Sequence, residues 1–138
     1  MAVKGSMLEF RLDSIKQLEG KHKLLIKHEV ISSINELLIY LFVKKTNPKL
    51  EKDFSNAQRI EVISFLEALE AHNQIVNVYW VSAKEGIQIL FQEFRLNYDE
   101  LWLPGADDLL IENVDKTWIL QMHHEEVFSF YQREVDPT

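Results

Sequence analysis

The chain has 138 residues, with 22 Asp and Glu against 15 Lys and Arg, no cysteine, and a formal net charge of −7. Its length fits one domain with a sizeable core, and an apolar content of 46% lies far from the disordered regime. The lack of cysteine excludes disulfides and thiolate metal sites, and the longest apolar run, Leu37–Val43, is far short of the roughly 20 residues a bilayer requires.

The opening Met1-Ala-Val-Lys-Gly-Ser6, followed by a second methionine, Met7, reads as an appended leader, leaving residues 7–138 as a single expected domain. Leu8, Leu12, Ile15 and Leu18 then fall near helical spacing, although Leu8, Phe10 and Leu12 also fit a short strand. A clearer signal follows. Leu24, Val30, Ile31, Ile34, Leu37, Leu38, Leu41 and Phe42 recur at three and four, which predicts a long helix from His22 to Lys45 at the centre of the core. Lys44 and Lys45 suit its negative end, and Asn47-Pro48 stops it.

Ser55-Asn-Ala-Gln58 has the capping-box form, and Val62, Phe65, Leu66 and Leu69 give the following helix one apolar face. Ile75–Val81 is rich in β-branched and aromatic residues and reads as a strand. Ser82-Ala-Lys-Glu85 repeats the capping pattern, and Ile87, Leu90, Phe91 and Phe94 predict a helix over Ala83–Leu96, with Gly86 a mild cost of about 1 kcal/mol. A hairpin between Val76–Ser82 and this stretch is the competing reading. From Tyr98 the apolar period drops to two. Leu109–Glu112, Trp118–Met122 and Val127–Tyr131 are short β-prone runs at hairpin separations. The expected fold class is therefore α+β: three to four helices in the N-terminal two-thirds, packed on a small C-terminal antiparallel β-meander.

Charge is distributed very unevenly. Tyr98 to Thr138 holds ten Asp and Glu against Lys116 and Arg133, a balance of −8, whereas the 97 residues before it carry 13 basic and 12 acidic side chains, or +1. A field that one-sided repels nucleic acid and anionic lipid and attracts a basic surface. It also lacks the interleaved Lys and Arg that accompany base-stacking aromatics. The candidate partner-binding residues are Trp102, Asp107, Asp108, Glu112, Asp115, His124, Glu125 and Glu126. The expected partner is a protein with a basic surface, with no direct nucleic acid and no membrane. The oligomeric state is left open.

His123-His124-Glu125-Glu126 is the most enzyme-like string. If the strand continued through them, His123 and His124 would point to opposite faces and could not ligate one ion. The expectation is that His123–Glu126 are turn residues between two strands, one of them bonding its loop. The i, i+4 histidine pair of a helical zinc site is missing too. Asp107 to Trp118 fails the calcium-loop pattern, with Glu112 where glycine belongs and Trp118 where glutamate belongs. Neither a clustered-glycine phosphate loop nor a Gly-x-Ser-x-Gly elbow occurs. The expectation is no metal, no cofactor and no catalysis, with an acid–base role for His124 and Glu125 or Asp108 as the enzymatic alternative.

The run Leu101-Trp-Leu-Pro-Gly-Ala-Asp-Asp-Leu-Leu-Ile111, continuing through Lys116-Thr-Trp-Ile-Leu120 to His124-Glu-Glu, resembles the ending of small bacterial immunity proteins of polymorphic or contact-dependent toxin systems. Those pair a Trp-x-Pro-x-x-Asp-Asp turn with a late Trp strand and a His-Glu turn. The resemblance implies a small acidic cytoplasmic protein that blocks a toxin domain by direct binding, and it carries over no catalytic residue. An adaptor or structural subunit for some other basic partner is the alternative of the same physical class.

Overall fold

The structure is a computed structural model that describes residues 12–103 and 105–133. Residues 1–11, which include the expected leader and the start of the first ambiguous segment, lie outside the described residues; Leu12 and Asp13 are helical, and a 3₁₀ turn follows at Lys16–Leu18. Seven strands then form one sheet: β1 (His22–Leu24), β2 (Leu50–Asp53), β3 (Ile75–Trp80), β4 (Glu85–Leu90), β5 (Leu109–Asn113), β6 (Trp118–Met122) and β7 (Val127–Gln132). Their spatial order is β1-β4-β3-β5-β6-β7-β2, and every pairing is antiparallel. The helices are α1 (Lys27–Leu38, extended by a π turn at Ile39–Val43), α2 (Arg59–Ala68), α3 (Phe91–Leu96) and α4 (Tyr98–Leu101).

The class is α+β as expected, and β3 and the β5–β6–β7 meander form where the apolar alternation places them. The sheet is larger than the sequence suggests, because β1, β2 and β4 come from the N-terminal two-thirds. One face carries Val76, Val78, Trp80, Ile111, Leu120 and Phe128, packed with residues of α2 to α4 such as Leu66, Phe94 and Leu101. The other face carries Tyr79, Leu110, Ile119 and Tyr131 beneath Val30, Ile34, Leu37 and Leu41 of the α1 segment. Strand alternation thus builds two cores, one on each side of the sheet.

Three expectations need correction. The helix predicted from His22 begins only at Lys27, because His22–Leu24 pair with Ile87–Ile89 of β4 and the Leu25 amide donates to the Gly86 carbonyl at 3.0 Å. It lies on the outer face rather than at the centre of the core. One stripe is buried, while Ile39, Phe42 and Val43 are 49%, 55% and 72% exposed. The Ser55–Gln58 box does not form, since the Ser55 hydroxyl and amide both donate to Asp53 and the helix starts at Arg59 without a side-chain cap.

The helix expected over Ala83–Leu96 is a strand as far as Leu90, the competing hairpin reading, and only Phe91–Leu96 is helical. Its buried parity is Ile87 and Ile89, continued by Phe91, whereas Gln88 and Leu90 face the half-exposed side. Asn77 then accepts a bond from the Gln88 amide across the pair at 3.1 Å. Lys84 adopts the left-handed conformation (φ 56°) that the tight turn requires. Gly86 is more than tolerated here. A Cβ at this position would meet Tyr79 Cδ1 and the Val78 carbonyl oxygen, each at 2.9 Å, and the latter is backbone that cannot swing away. Gly86→Ala is expected to destabilise by about 1–3 kcal/mol, read as a shift in denaturant midpoint. A loss no larger than that of an exposed-surface substitution would mean that β4 does not approach β3 so closely.

Among the described residues no helix is long and apolar enough to cross a membrane.

Candidate functional site

The antiparallel register brings the β3–β4 turn, the loop before β5, the β6–β7 turn and the end of β2 to the same end of the sheet, since Trp80 pairs with Leu109, Leu109 with Met122, and Val127 with Asp53. Asp107, Asp108, His124, Glu125 and Glu126 therefore gather at one end. Glu112 and Asp115 belong to the opposite end, around the β5–β6 turn.

The loop before β5 is held by the side chains singled out from sequence. Trp102 is buried, its ring edge 5.1 Å from Phe128 and its indole N–H donating to the Asp107 carbonyl at 3.0 Å. It anchors this loop from within and offers no ring to a partner. The Asp107 carboxylate accepts the Leu103 amide at 2.8 Å, a local closure of the loop. Glu112 is buried as well, accepting the Tyr79 hydroxyl at 3.1 Å and an Arg133 N–H at 3.3 Å. Asp115 is exposed at its turn, Glu125 is exposed, and Glu126 is half-buried with φ 69°.

At the centre of the site is Asp108. Its Oδ1 accepts the His124 backbone amide at 2.8 Å and lies 2.9 Å from His124 Nδ1 and 3.9 Å from His123 Nε2. The two rings lie 4.1 Å apart, tilted by 34°. Their convergence corrects the argument from strand alternation. β6 ends at Met122, and the Glu126 amide donates to the His123 carbonyl at 2.8 Å, closing a turn in which neighbouring side chains need not alternate. Partial burial pushes the Asp108 carboxyl up, but the bonds from the His124 amide and ring and the nearby imidazole charges outweigh it, and the group is held below its ordinary 3.8.

Beside this cluster the α1 face of the sheet is only half covered. A groove of about 440 Å³ opens between the end of α1 and the strand ends, floored by Leu110, Gln121, Ser129 and Tyr131 and walled by Leu38 and Phe42. Among the described residues the charged side chains lining it are Glu51, Asp108 and Glu125, with His123, and neither lysine nor arginine lines it. Glu51 accepts the Ser129 hydroxyl at 2.8 Å and so stands on the groove floor.

Sequence reasoning missed Glu51 and Phe42. Leu50-Glu-Lys-Asp53 is too short and too polar to announce a strand, and only its pairing with β7 brings Glu51 to the site. Phe42 belongs to the helix expected at the centre of the core, and its exposure follows from the packing of a single stripe. No family model matches the chain, and neither the curated proteins nor the solved structures compared with it give a match.

Proposed function

We propose that this chain is a non-catalytic acidic binding protein, an immunity protein that neutralises a bacterial toxin in the cytoplasm by binding it directly, and that the groove is its docking surface. The observation that carries this reading is the chemistry of the groove. Among the described residues its formal charges are all carboxylates, set around apolar side chains such as Leu38, Leu109, Leu110 and Val127 and an exposed Phe42. A segment presenting Lys or Arg beside one apolar side chain fits both halves of that lining. Charge complementarity accelerates encounter and selects the partner, and the aromatic and aliphatic contacts supply most of the affinity. A toxin domain that acts on nucleic acid would carry such a basic surface. The excess of acidic residues after Tyr98 and the likeness of Leu101–Glu126 to immunity-protein endings support the same reading. An adaptor for another basic partner would use the groove identically. The enzymatic alternative would rest on the His124–Asp108 pair, 2.9 Å apart.

Charge reversal at the groove tests the proposal. Asp107 and Asp108 are poor positions for it, since the Asp107 carboxylate binds the Leu103 amide of its own loop and the Asp108 carboxylate binds the His124 amide of the β6–β7 turn. Glu51→Lys with Glu125→Lys is the better pair. With the toxin domain encoded immediately upstream as partner, the wild-type chain is expected to rescue growth. The double variant is expected to associate about 10-fold more slowly or worse at low salt, and with a flatter salt dependence, while its circular dichroism is unchanged. A wild-type chain that neither binds nor rescues would remove the immunity reading. Unaltered association of the double variant would remove the groove from it.

A further inference from the structure

We propose that Asp108, His123 and His124 form a binding site for a divalent transition-metal ion of the zinc class, open on one side towards the groove. The inference goes beyond the binding function proposed above and does not depend on any protein partner. It rests first on geometry. One ligand atom from each of the three residues lies within 4.8 Å of the other two. The Asp108 separations, 2.9 Å to His124 Nδ1 and 3.9 Å to His123 Nε2, bracket the roughly 3.2–3.4 Å between donors about 2.0–2.1 Å from a tetrahedral ion. The remaining separation, between the two imidazole donors, is at most 4.8 Å, and ring rotation on binding would bring it to that spacing.

The surroundings hold the donors in place before any ion arrives. Asp108 is fixed by the His124 amide, its own carbonyl accepts the Val81 amide at 3.0 Å, and the His124 carbonyl accepts the Gly105 amide at 2.9 Å. Three loops are therefore tied together behind the ligands, in the manner of the outer-shell bonds that orient metal-binding side chains. Two imidazoles and one carboxylate select zinc, nickel or copper over magnesium and calcium, which require all-oxygen sites. The cluster is part-exposed, with side-chain exposures of 33% for Asp108, 33% for His123 and 42% for His124, so an ion can reach it. With three protein donors, a fourth position remains for water or for a group presented from the groove, which Asp108 and His123 also line.

The proton bookkeeping is simple. His123 Nδ1 accepts the Glu125 amide at 3.1 Å, so the neutral ring carries its proton on Nε2. Ligation through Nε2 moves that proton to Nδ1 and releases the amide of exposed Glu125 to water. His124 donates Nδ1–H to Asp108 before the ion arrives, so ligation through Nδ1 moves that proton to Nε2. Both imidazoles remain neutral, and the ion replaces the hydrogen bond between His124 and Asp108.

Calorimetric titration of the full chain, freed of metal by chelation, with Zn²⁺ alone tests the site. Saturable 1:1 binding in the micromolar range is expected, together with a rise in melting temperature. His123→Ala, His124→Ala and Asp108→Asn should each weaken it about 10-fold or more; Asn keeps an acceptor for the His124 amide, so that variant retains its turn. His28→Ala and His72→Ala, which alter histidines outside the cluster, should leave binding unchanged. With Co²⁺ as probe, visible absorption of tetrahedral intensity should appear in the wild type and vanish in His124→Ala. Absence of saturable binding below about 1 mM Zn²⁺, far weaker than a three-donor site should give, would overturn the proposal. So would binding of undiminished strength in His123→Ala or His124→Ala.

Discussion

Phe128→Ala is expected to lower the unfolding free energy by about 3–5 kcal/mol. Phe128 is fully buried on β7, and three other aromatic rings converge on it: Phe54 at 4.7 Å, Trp102 at 5.1 Å and Phe65 at 6.2 Å between centroids. These rings come from the end of β2, the loop before β5 and α2, so one side chain joins three separately folded segments to the sheet. Truncation removes the transfer energy of a whole ring and leaves a cavity that rigid strands on either side cannot close. The edge-to-face contact with Trp102 adds its own share. A consequence at the functional site follows, because Trp102 holds the Asp107 carbonyl and Asp107 holds the Leu103 amide. The loop that carries Asp108 should therefore loosen together with the core, seen as faster amide exchange at Leu103. Lys49→Ala, at an exposed side chain, should cost under about 0.5 kcal/mol and serves as the reference. Equal losses at Phe128 and Lys49 in a denaturant titration would mean that the aromatic cluster does not exist.

How much of this was legible in the sequence depends on the range of the interactions concerned. β3 and the β5–β6–β7 meander announce themselves because their apolar alternation and turn residues are local, and Trp118–Met122 forms within the limits its pattern sets. β4 fails that test. Gln88, Leu90 and Gln92 obscure one parity, while the informative one is Ile87, Ile89 and Phe91, whose burial depends on β3 and β1 on either side. β1 and β2 have no local signature; Leu24 and Leu50 are 43% and 46% exposed, so neither strand forms a hydrophobic face of its own. The acidic character of the site was visible as charge count. Its division was not, because whether a carboxylate such as Glu112 turns outward or is buried against Tyr79 depends on pairing 33 residues apart. His123 and His124 occupy the turn expected between β6 and β7, where strand alternation no longer applies; the convergence of their rings on Asp108 was not legible, because it joins residues about 16 apart in sequence.

The second large effect concerns the opposite end of the sheet, where Arg133→Ala is expected to destabilise by about 2–4 kcal/mol at neutral pH. Arg133 is 15% exposed and contacts Glu112 at 3.3 Å, Glu36 of α1 at 3.5 Å and the Tyr40 ring at 4.9 Å from its centroid. It thereby clamps the end of β7 to the outer helix. Without it, Glu112, whose side chain is 4% exposed, retains the Tyr79 hydroxyl as its described hydrogen-bond donor. Burial already pushes the Glu112 carboxyl above its ordinary 4.5, with the Tyr79 hydroxyl, Lys116 and Arg133 offsetting only part of that push. A carboxyl raised in this way keeps its proton to higher pH in the folded chain than in the unfolded one. Its contribution to stability is therefore full below 4.5 and lost as pH rises through the folded-state value. Removing Arg133 raises that value further and widens the window. The Arg133→Ala defect should accordingly be greatest near pH 7 and shrink towards about pH 4, where Glu112 is protonated and no uncompensated charge is buried. Glu112→Gln in the Arg133→Ala background keeps an acceptor for Tyr79 and removes the charge, so it should recover a large part of the loss. Denaturant titrations of the wild type, the single variant and the double variant between about pH 4 and 8 give the comparison. A defect of constant size across that range, unrelieved by Glu112→Gln, would assign the role of Arg133 to its packing on Tyr40 and not to the buried carboxylate.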